Sequence, residues 1–262
     1  MDLQLRGKTA LVTAASAGLG YATAAALSAE GARVAICSRD LERAKEAAAR
    51  IGAESGHEVL AFQADVASEA DLTHLFTDAG VALGQLDILV CNAGGPPAGG
   101  FGTLSETQWG TAFQLTLMSV VRSVRLAVPL MERAGGGRIL TILSSSVRKP
   151  IDNLTLSNTF RPAVYGLCKS LSVELAGRNI QVNGLAPGRI ETNRINQLDD
   201  ALAEKRGVSR AEVRAASEKG IPMGRLGQPE EFGRVAAFLC SPAAVYINGS
   251  ALLVDGGAVT SL

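Results

Sequence analysis

Histidine occurs twice in the 262 residues, aromatic residues make up 4% of the chain, and 25 basic side chains balance 25 acidic ones. A chain with no charge excess and no Lys/Arg cluster lacks the electrostatic footprint of a nucleic-acid binder, so nucleic acid is excluded as a partner. The longest apolar stretch, LTLMSVVRSVRLAVPLM, is broken by Arg122 and Arg125. The N-terminal segment MDLQLRGKTALV has no basic lead into an apolar run. Neither reads as a membrane span or an export signal, and the expectation is a soluble, cytoplasmic protein. Cys37, Cys91, Cys168 and Cys240 form no C-x-x-C pair, which argues against a disulfide framework or a metal site and for reduced thiols packed as small hydrophobes. A Ser-His-Asp hydrolase is excluded as well. No Gly-x-Ser-x-Gly elbow is present, and His57 and His74 lie in polar stretches before the fourth apolar run.

Short apolar, β-branched runs do recur: KTALVTA, RVAIC, EVLAFQAD, DILVCNAG, RILTILSS, IQVNGLAPG and ALLVDGG. Between them lie alanine-rich or amphipathic stretches of helical period, such as DLERAKEAAARI and SEADLTHLFTDAGVAL, the second opened by the capping box Ser68-x-x-Asp71. Strands apolar on both faces that alternate with helices predict an α/β fold. It is a single doubly wound Rossmann-type domain over 1–262, a seven-stranded parallel sheet with helices on both faces. No repeat or linker divides it. One segment, 193–220, is longer and more charged than a crossover needs and reads as a substrate lid.

In open α/β sheets ligands bind at the carboxyl ends of the strands, and unusual residues gather at six of those ends. They are Ala14 to Gly20, Ser38 and Arg39, Asp65, Asn92-Ala93-Gly94, Ser144 to Ser146, and Pro187-Gly188. Gly18 and Gly20 leave backbone free to approach a pyrophosphate at a helix N-terminus. No acid precedes Asp40 after the second strand, and Arg39 stands there, which favours NADP(H) over NAD(H) because a guanidinium attracts a 2′-phosphate. Tyr165 and Lys169 are four apart on a predicted helix and share a face; a nearby ammonium lowers a phenol's pKa and suits it to proton transfer.

Together these features resemble the short-chain dehydrogenase/reductase family from Thr13 to Gly257, with RLGQPEE and VDGG adding to the match. GRIL through SSS and IPMGRLGQPEE look most like the branch of 3-oxoacyl-acyl-carrier-protein reductases. The resemblance implies an NADPH-dependent oxidoreductase that interconverts a carbonyl and a secondary alcohol by hydride transfer, on a 3-oxoacyl thioester or related small ketone. A dinucleotide-binding protein with impaired catalysis, acting as sensor or scaffold, is the alternative. The family's roles, carried over by position, make Ser144, Tyr165 and Lys169 catalytic, with Thr116 at the place of an asparagine that anchors a water. The implied cofactor contacts are Thr13, Ser16, Gly18, Leu19, Gly20, Ser38, Arg39, Asp65, Val66, Asn92, Ala93, Gly94, Tyr165, Lys169, Pro187, Gly188, Ile190 and Thr192. No metal is implied. The family's habit implies a homo-oligomer, a tetramer.

Three departures stand out. Ala14 occupies the place of the family's first loop glycine, and if that residue has positive φ, alanine there costs on the order of 1 kcal/mol. Thr116 replaces the asparagine. Ser144 and Tyr165 are 21 positions apart, longer than the family's usual gap by about two helical turns; counted back from Tyr165 the usual spacing falls on Asp152. The serine assignment therefore rests on matching RILTILS to the family's strand, and Ser145 and Ser146 stay open. The extra residues, RKPIDNLTLSNTF, are expected to border the substrate pocket and reshape substrate choice.

Overall fold

A computed structural model describes residues 2–261. The strands β1 (Thr9–Val12), β2 (Arg33–Ser38), β3 (Val59–Gln63), β4 (Ile88–Cys91), β5 (Gly137–Ile142), β6 (Ile180–Pro187) and β7 (Ala251–Val254) fall in the seven apolar runs. They form one sheet in the order β3-β2-β1-β4-β5-β6-β7, every neighbouring pair parallel. Parallel pairing forces a crossover after each strand, and α1 (Gly18–Ala29), α2 (Leu41–Ser55), α3 (Glu69–Leu83), α4 (Glu106–Ala112), α5 (Ser119–Arg133) and α6 (Thr155–Glu174) supply the first five. The last connection carries α7 (Asn193–Arg206), α8 (Arg210–Lys219) and α9 (Pro229–Leu239).

Alternation along each strand divides the core into two layers. Leu11, Ala35, Leu89 and Ile139 face Leu72, Phe76, Val124, Met131, Val164 and Cys168 of α3, α5 and α6. Ala10, Val12, Ile36, Val90 and Leu140 face Leu27, Ile51, Phe232 and Ala236 of α1, α2 and α9. All four cysteines are free and buried, as expected of thiols used as small hydrophobes. Burial pushes the Cys37 thiol up to about 11. The continuous run Glu106–Arg133 is long and apolar enough to span a membrane by length and composition. Its residues Val120, Val124, Ala127 and Met131 are spent on the core against the sheet.

At the amino end of the sheet, Asp87 ties β1 to β4. Its carboxylate accepts from Lys8 Nζ at 2.9 Å, Thr9 N at 2.9 Å, Thr9 Oγ1 at 3.0 Å and Gln85 Nε2 at 3.0 Å. Burial alone would raise its pKa; the Lys8 ammonium and the Thr9 and Gln85 donors outweigh burial and hold it below the usual carboxylate range. At the carboxyl end, the turn from β1 into α1 is held by Asn92, whose Nδ2 donates to Ala14 O at 2.9 Å. Ala14 has φ 48° and Gly18 φ 60°. The loop therefore keeps a left-handed residue at the first position although an L side chain occupies it.

Two outcomes follow. A depressed folded pKa contributes stability that is complete above the unfolded value near about 4 and is lost as pH falls through the folded value. Asp87→Asn is expected to lower stability at neutral pH by about 1–3 kcal/mol and to flatten the acid limb of a denaturant-midpoint-versus-pH curve. Ala14→Gly removes the left-handed strain and should raise the thermal midpoint by about 2–4 °C in calorimetry.

Candidate active site

Five of the six strand-end segments meet on one rim and line a cavity of about 950 Å³; the Asp65 segment does not. Of the residues expected there, Gly18, Leu19, Arg39, Asn92, Ala93, Gly94, Ser144, Pro187, Gly188, Ile190 and Thr192 line it. Others hold the lining in place. Thr13 Oγ1 donates to Asn92 O at 2.7 Å and accepts from Asn92 N at 2.8 Å, which locks the end of β1 to the end of β4. Ser16 Oγ donates to Ser38 Oγ at 3.2 Å. Gly20 admits the Asn92 amide, which a Cβ would meet at 2.6 Å. Asp65 and Val66 lie beyond β3, outside the lining, with Asp65 Oδ1 accepting from Ala67 N at 3.0 Å in a local turn.

Among the three serines left open, Ser144 and Ser145 line the cavity, while Ser146 Oγ is buried without a hydrogen-bond partner. Thr116 sits in a π-helical stretch, Phe113–Met118, between α4 and α5. It is 1% exposed, its hydroxyl has no partner, and it does not reach the cavity.

Tyr165 and Lys169 are not at the rim. The helix that carries them, α6, begins at Thr155 on the carboxyl side and runs back along the sheet. At 1.5 Å per residue, Tyr165 lies about 12 Å below Ser157 along the axis, and Lys169 about 18 Å. Tyr165 packs against the core layer of α3 and α5. Lys169 Nζ lies 3.3 Å from where a Cβ of Gly249 would be, and Gly249 N donates to Val182 O near the amino ends of β6 and β7. Four-residue spacing does put the pair on one helical face, but it lies in the second half of α6, away from the rim.

The side chains of α6 that do line the cavity are Ser157 and Arg161, also four apart. Ser157 follows Ser144 by 13 positions, which is the spacing the family uses. The segment between Ser144 and the rim-facing pair thus has the usual length and Thr155–Phe160 is the first part of α6, yet the stretch RKPIDNLTLSNTF does border the cavity, which Lys149, Pro150, Ile151, Asp152, Leu154 and Ser157 line. Arg161 is 7% exposed and donates through Nη1 to Ile142 O at 2.5 Å. Burial, then the nearby Arg194 charge, bring its pKa down to about 10, which leaves it cationic at neutral pH.

The segment 193–220 folds as α7 and α8 beside the rim, and Arg194, Ile195, Leu198 and Ser217 line the cavity. Buried charge ties it down. Asp199, 1% exposed, pairs with Arg189 and lies 3.3 Å from Arg214 Nε. Arg214 also pairs with Glu191 and donates to Asn196 Oδ1 at 2.9 Å. The Arg214 guanidinium beside Glu191 holds that carboxyl below the usual carboxylate range. α7 and α8 are thus bound to the loop that leaves β6.

These residues fit a dinucleotide. Gly94 presents bare backbone to open space, and Gly18 leaves a gap before Thr192, whose methyl a Cβ would meet at 3.7 Å. Ala17, Gly18 and Leu19, at the start of α1, line the same space, and a helix N-terminus offers unpaired amides to an anion. Arg39 lines it too, and the carboxylate of Asp40 is engaged as the cap of α2, accepting from Glu42 N at 3.0 Å and Arg43 N at 3.2 Å.

Comparison with known proteins supports the same assignment. The sequence profile described as Enoyl-(Acyl carrier protein) reductase matches residues 13–259. The chain is 35% identical over 261 residues to 7alpha-hydroxysteroid dehydrogenase of Escherichia coli K12, covering 100% of this chain and 98% of that one. It is 35% identical over 263 residues to dehydrogenase/reductase SDR family member 4 of Sus scrofa, covering 98% and 89%. Its fold superimposes on L-sorbose reductase from Gluconobacter frateurii, solved with NADPH and L-sorbose, with TM-score 0.95, 31% identity and full coverage of both chains. It also matches 7 alpha-hydroxysteroid dehydrogenase, solved with NADH and 7-oxo glycochenodeoxycholic acid, with TM-score 0.90, 33% identity and coverage of 100% and 98%. With this sheet, this rim and these relatives, the chain belongs to the short-chain dehydrogenase/reductase family and is an NAD(P)-dependent oxidoreductase.

Proposed function

We propose that the protein interconverts a carbonyl and a secondary alcohol on a small substrate with NADP(H), and that serine hydroxyls, not a tyrosine phenol, serve the reacting oxygen. The observation that carries this reading is the placement of Ser144 and Ser157, 13 positions apart, in the lining of one cavity while Tyr165 stays outside it. The dinucleotide, when bound, supplies or takes up the hydride. The two hydroxyls donate hydrogen bonds to the substrate oxygen and so stabilise the negative charge that develops on it during reduction. The proton that completes the alcohol passes from a serine hydroxyl, which is replenished from water entering the cavity. Arg39 supports the phosphorylated cofactor, since a guanidinium with no carboxylate beside it suits a 2′-phosphate and Asp40 is occupied by its cap. The segment 193–220 serves as a lid over the substrate.

The test is NADPH consumption with a panel of ketones, ketoesters and a 3-oxoacyl thioester. Ser144→Ala and Ser157→Ala are expected to lower kcat by about 100-fold each, the usual effect of losing one oxyanion donor. Tyr165→Phe should stay within about twofold of wild type, because a group that touches neither substrate nor cofactor leaves the transition state unchanged. Collapse of turnover in Tyr165→Phe would return the phenol to the mechanism. Arg39→Ala should weaken NADP binding about tenfold and leave NAD binding unchanged, read by thermal shift.

A further inference from the structure

The chain is neutral overall, yet its cavity is not. Arg39, Lys149, Arg161, Arg189 and Arg194 line it against one carboxylate, Asp152. Arg189 is neutralised by Asp199, and Arg39 stands at the β2 end of the rim. Lys149 is solvent-exposed, so the buried Arg161 and the half-buried Arg194 remain. Among the described residues neither has a carboxylate within ion-pair distance. Arg161 spends one nitrogen on Ile142 O, and Arg194 spends one on Pro96 O at 2.5 Å. Arg194 also packs across Gly95, where a Cβ would stand 3.0 Å from its Nε.

A guanidinium that is 93% buried and lacks a counter-ion is costly to maintain, and a second positive charge beside it adds to that cost. Arg194 is half-buried; two unpaired guanidiniums facing one cavity are stabilised when an anion enters it, and a planar guanidinium matches a carboxylate in a bidentate pair.

Position narrows the anion further. Ser157 and Arg161 are one turn apart on the same face of α6, so their Cβ atoms are about 5–6 Å from each other. Arg161 is fixed to Ile142 O, two residues before Ser144. The positive charge is therefore within one or two carbon atoms' reach of the oxygen that Ser144 and Ser157 hold.

We propose that the substrate is a free 2-oxo or 3-oxo acid, or the matching hydroxy acid, whose carboxylate is bound by Arg161 with Arg194. The apolar side chains on the wall, Ile151, Leu154, Ile195 and Leu198, take an aliphatic or aromatic tail on that acid. A thioester, which has no such charge, leaves the pair unneutralised. This substrate class rests on the reductase reading above, but the charge recognition has its own readout.

The experiment measures equilibrium binding to the NADP-loaded wild-type protein by calorimetric titration, where no turnover occurs because cofactor and ligand are both oxidised. The probes are 2-oxopentanoate, 3-oxopentanoate and their methyl esters. At least one acid is expected to bind about tenfold or more tightly than its ester, as hydrogen bonds to a charged partner imply. Arg161→Met should erase the difference, and Arg161→Lys should keep part of it. Arg194→Met provides a second variant in case Arg161→Met fails to fold, and should narrow the same ratio. Equal binding of acid and ester, or binding of none of the four, would overturn the proposal. So would an Arg161→Met variant that loses NADP affinity but keeps its preference for the acid. NADPH consumption separates the two readings. Acids that bind but are never reduced remove the reductase reading alone, and esters reduced as fast as acids remove the charge recognition alone.

Discussion

Because every strand of the sheet points the same way, every crossover helix has to run back against it. That one constraint assigns each residue a depth. Residues at strand ends and in the first turns of the following helices reach the rim, and residues further along those helices descend toward the opposite edge at 1.5 Å per position. The cradle before α1, the serines after β5 and the first turns of α6 and α7 share a cavity for this reason, although they come from distant parts of the chain.

Most of the architecture was readable in the sequence because its signals are local. Each strand is a short apolar run, and Gly, Asn, Ser and Pro punctuate its carboxyl end. The sequence left the sign of φ at Ala14 as a condition, and the structure meets it with φ 48°. The placement of the rim has the same local signal: ten of the eighteen expected cofactor contacts line the cavity.

The rim-facing pair on α6 was not legible in that way. A four-residue interval fixes which helical face two side chains share and says nothing about their depth. Pro162 adds to the difficulty. RPAVY reads as the opening of a helix, since proline is most at home in a first turn, and the residues before it then read as loop. In the structure α6 begins at Thr155 and carries Pro162 inside it. A 13-residue count from Ser144 lands on Ser157 with Arg161 one turn later, and that was the signal available. Arg194, by contrast, gave none, because its meeting with Arg161 depends on how α7 folds over the rim.

The two ends of the sheet differ in character. At the amino end Asp87 collects four donors and has every demand met. At the carboxyl end a left-handed alanine, a hydroxyl without a partner at Ser146 and the guanidiniums of Arg39, Arg161 and Arg194, none with a counter-ion, lie around one rim. Tolerance to mutation should therefore run as a gradient along the strands. Substitutions near Asp87 act on whether the chain folds at all, whereas those at the far edge can change what the protein accepts while the scaffold beneath stays the same, so that new specificities arise at one end without endangering the other.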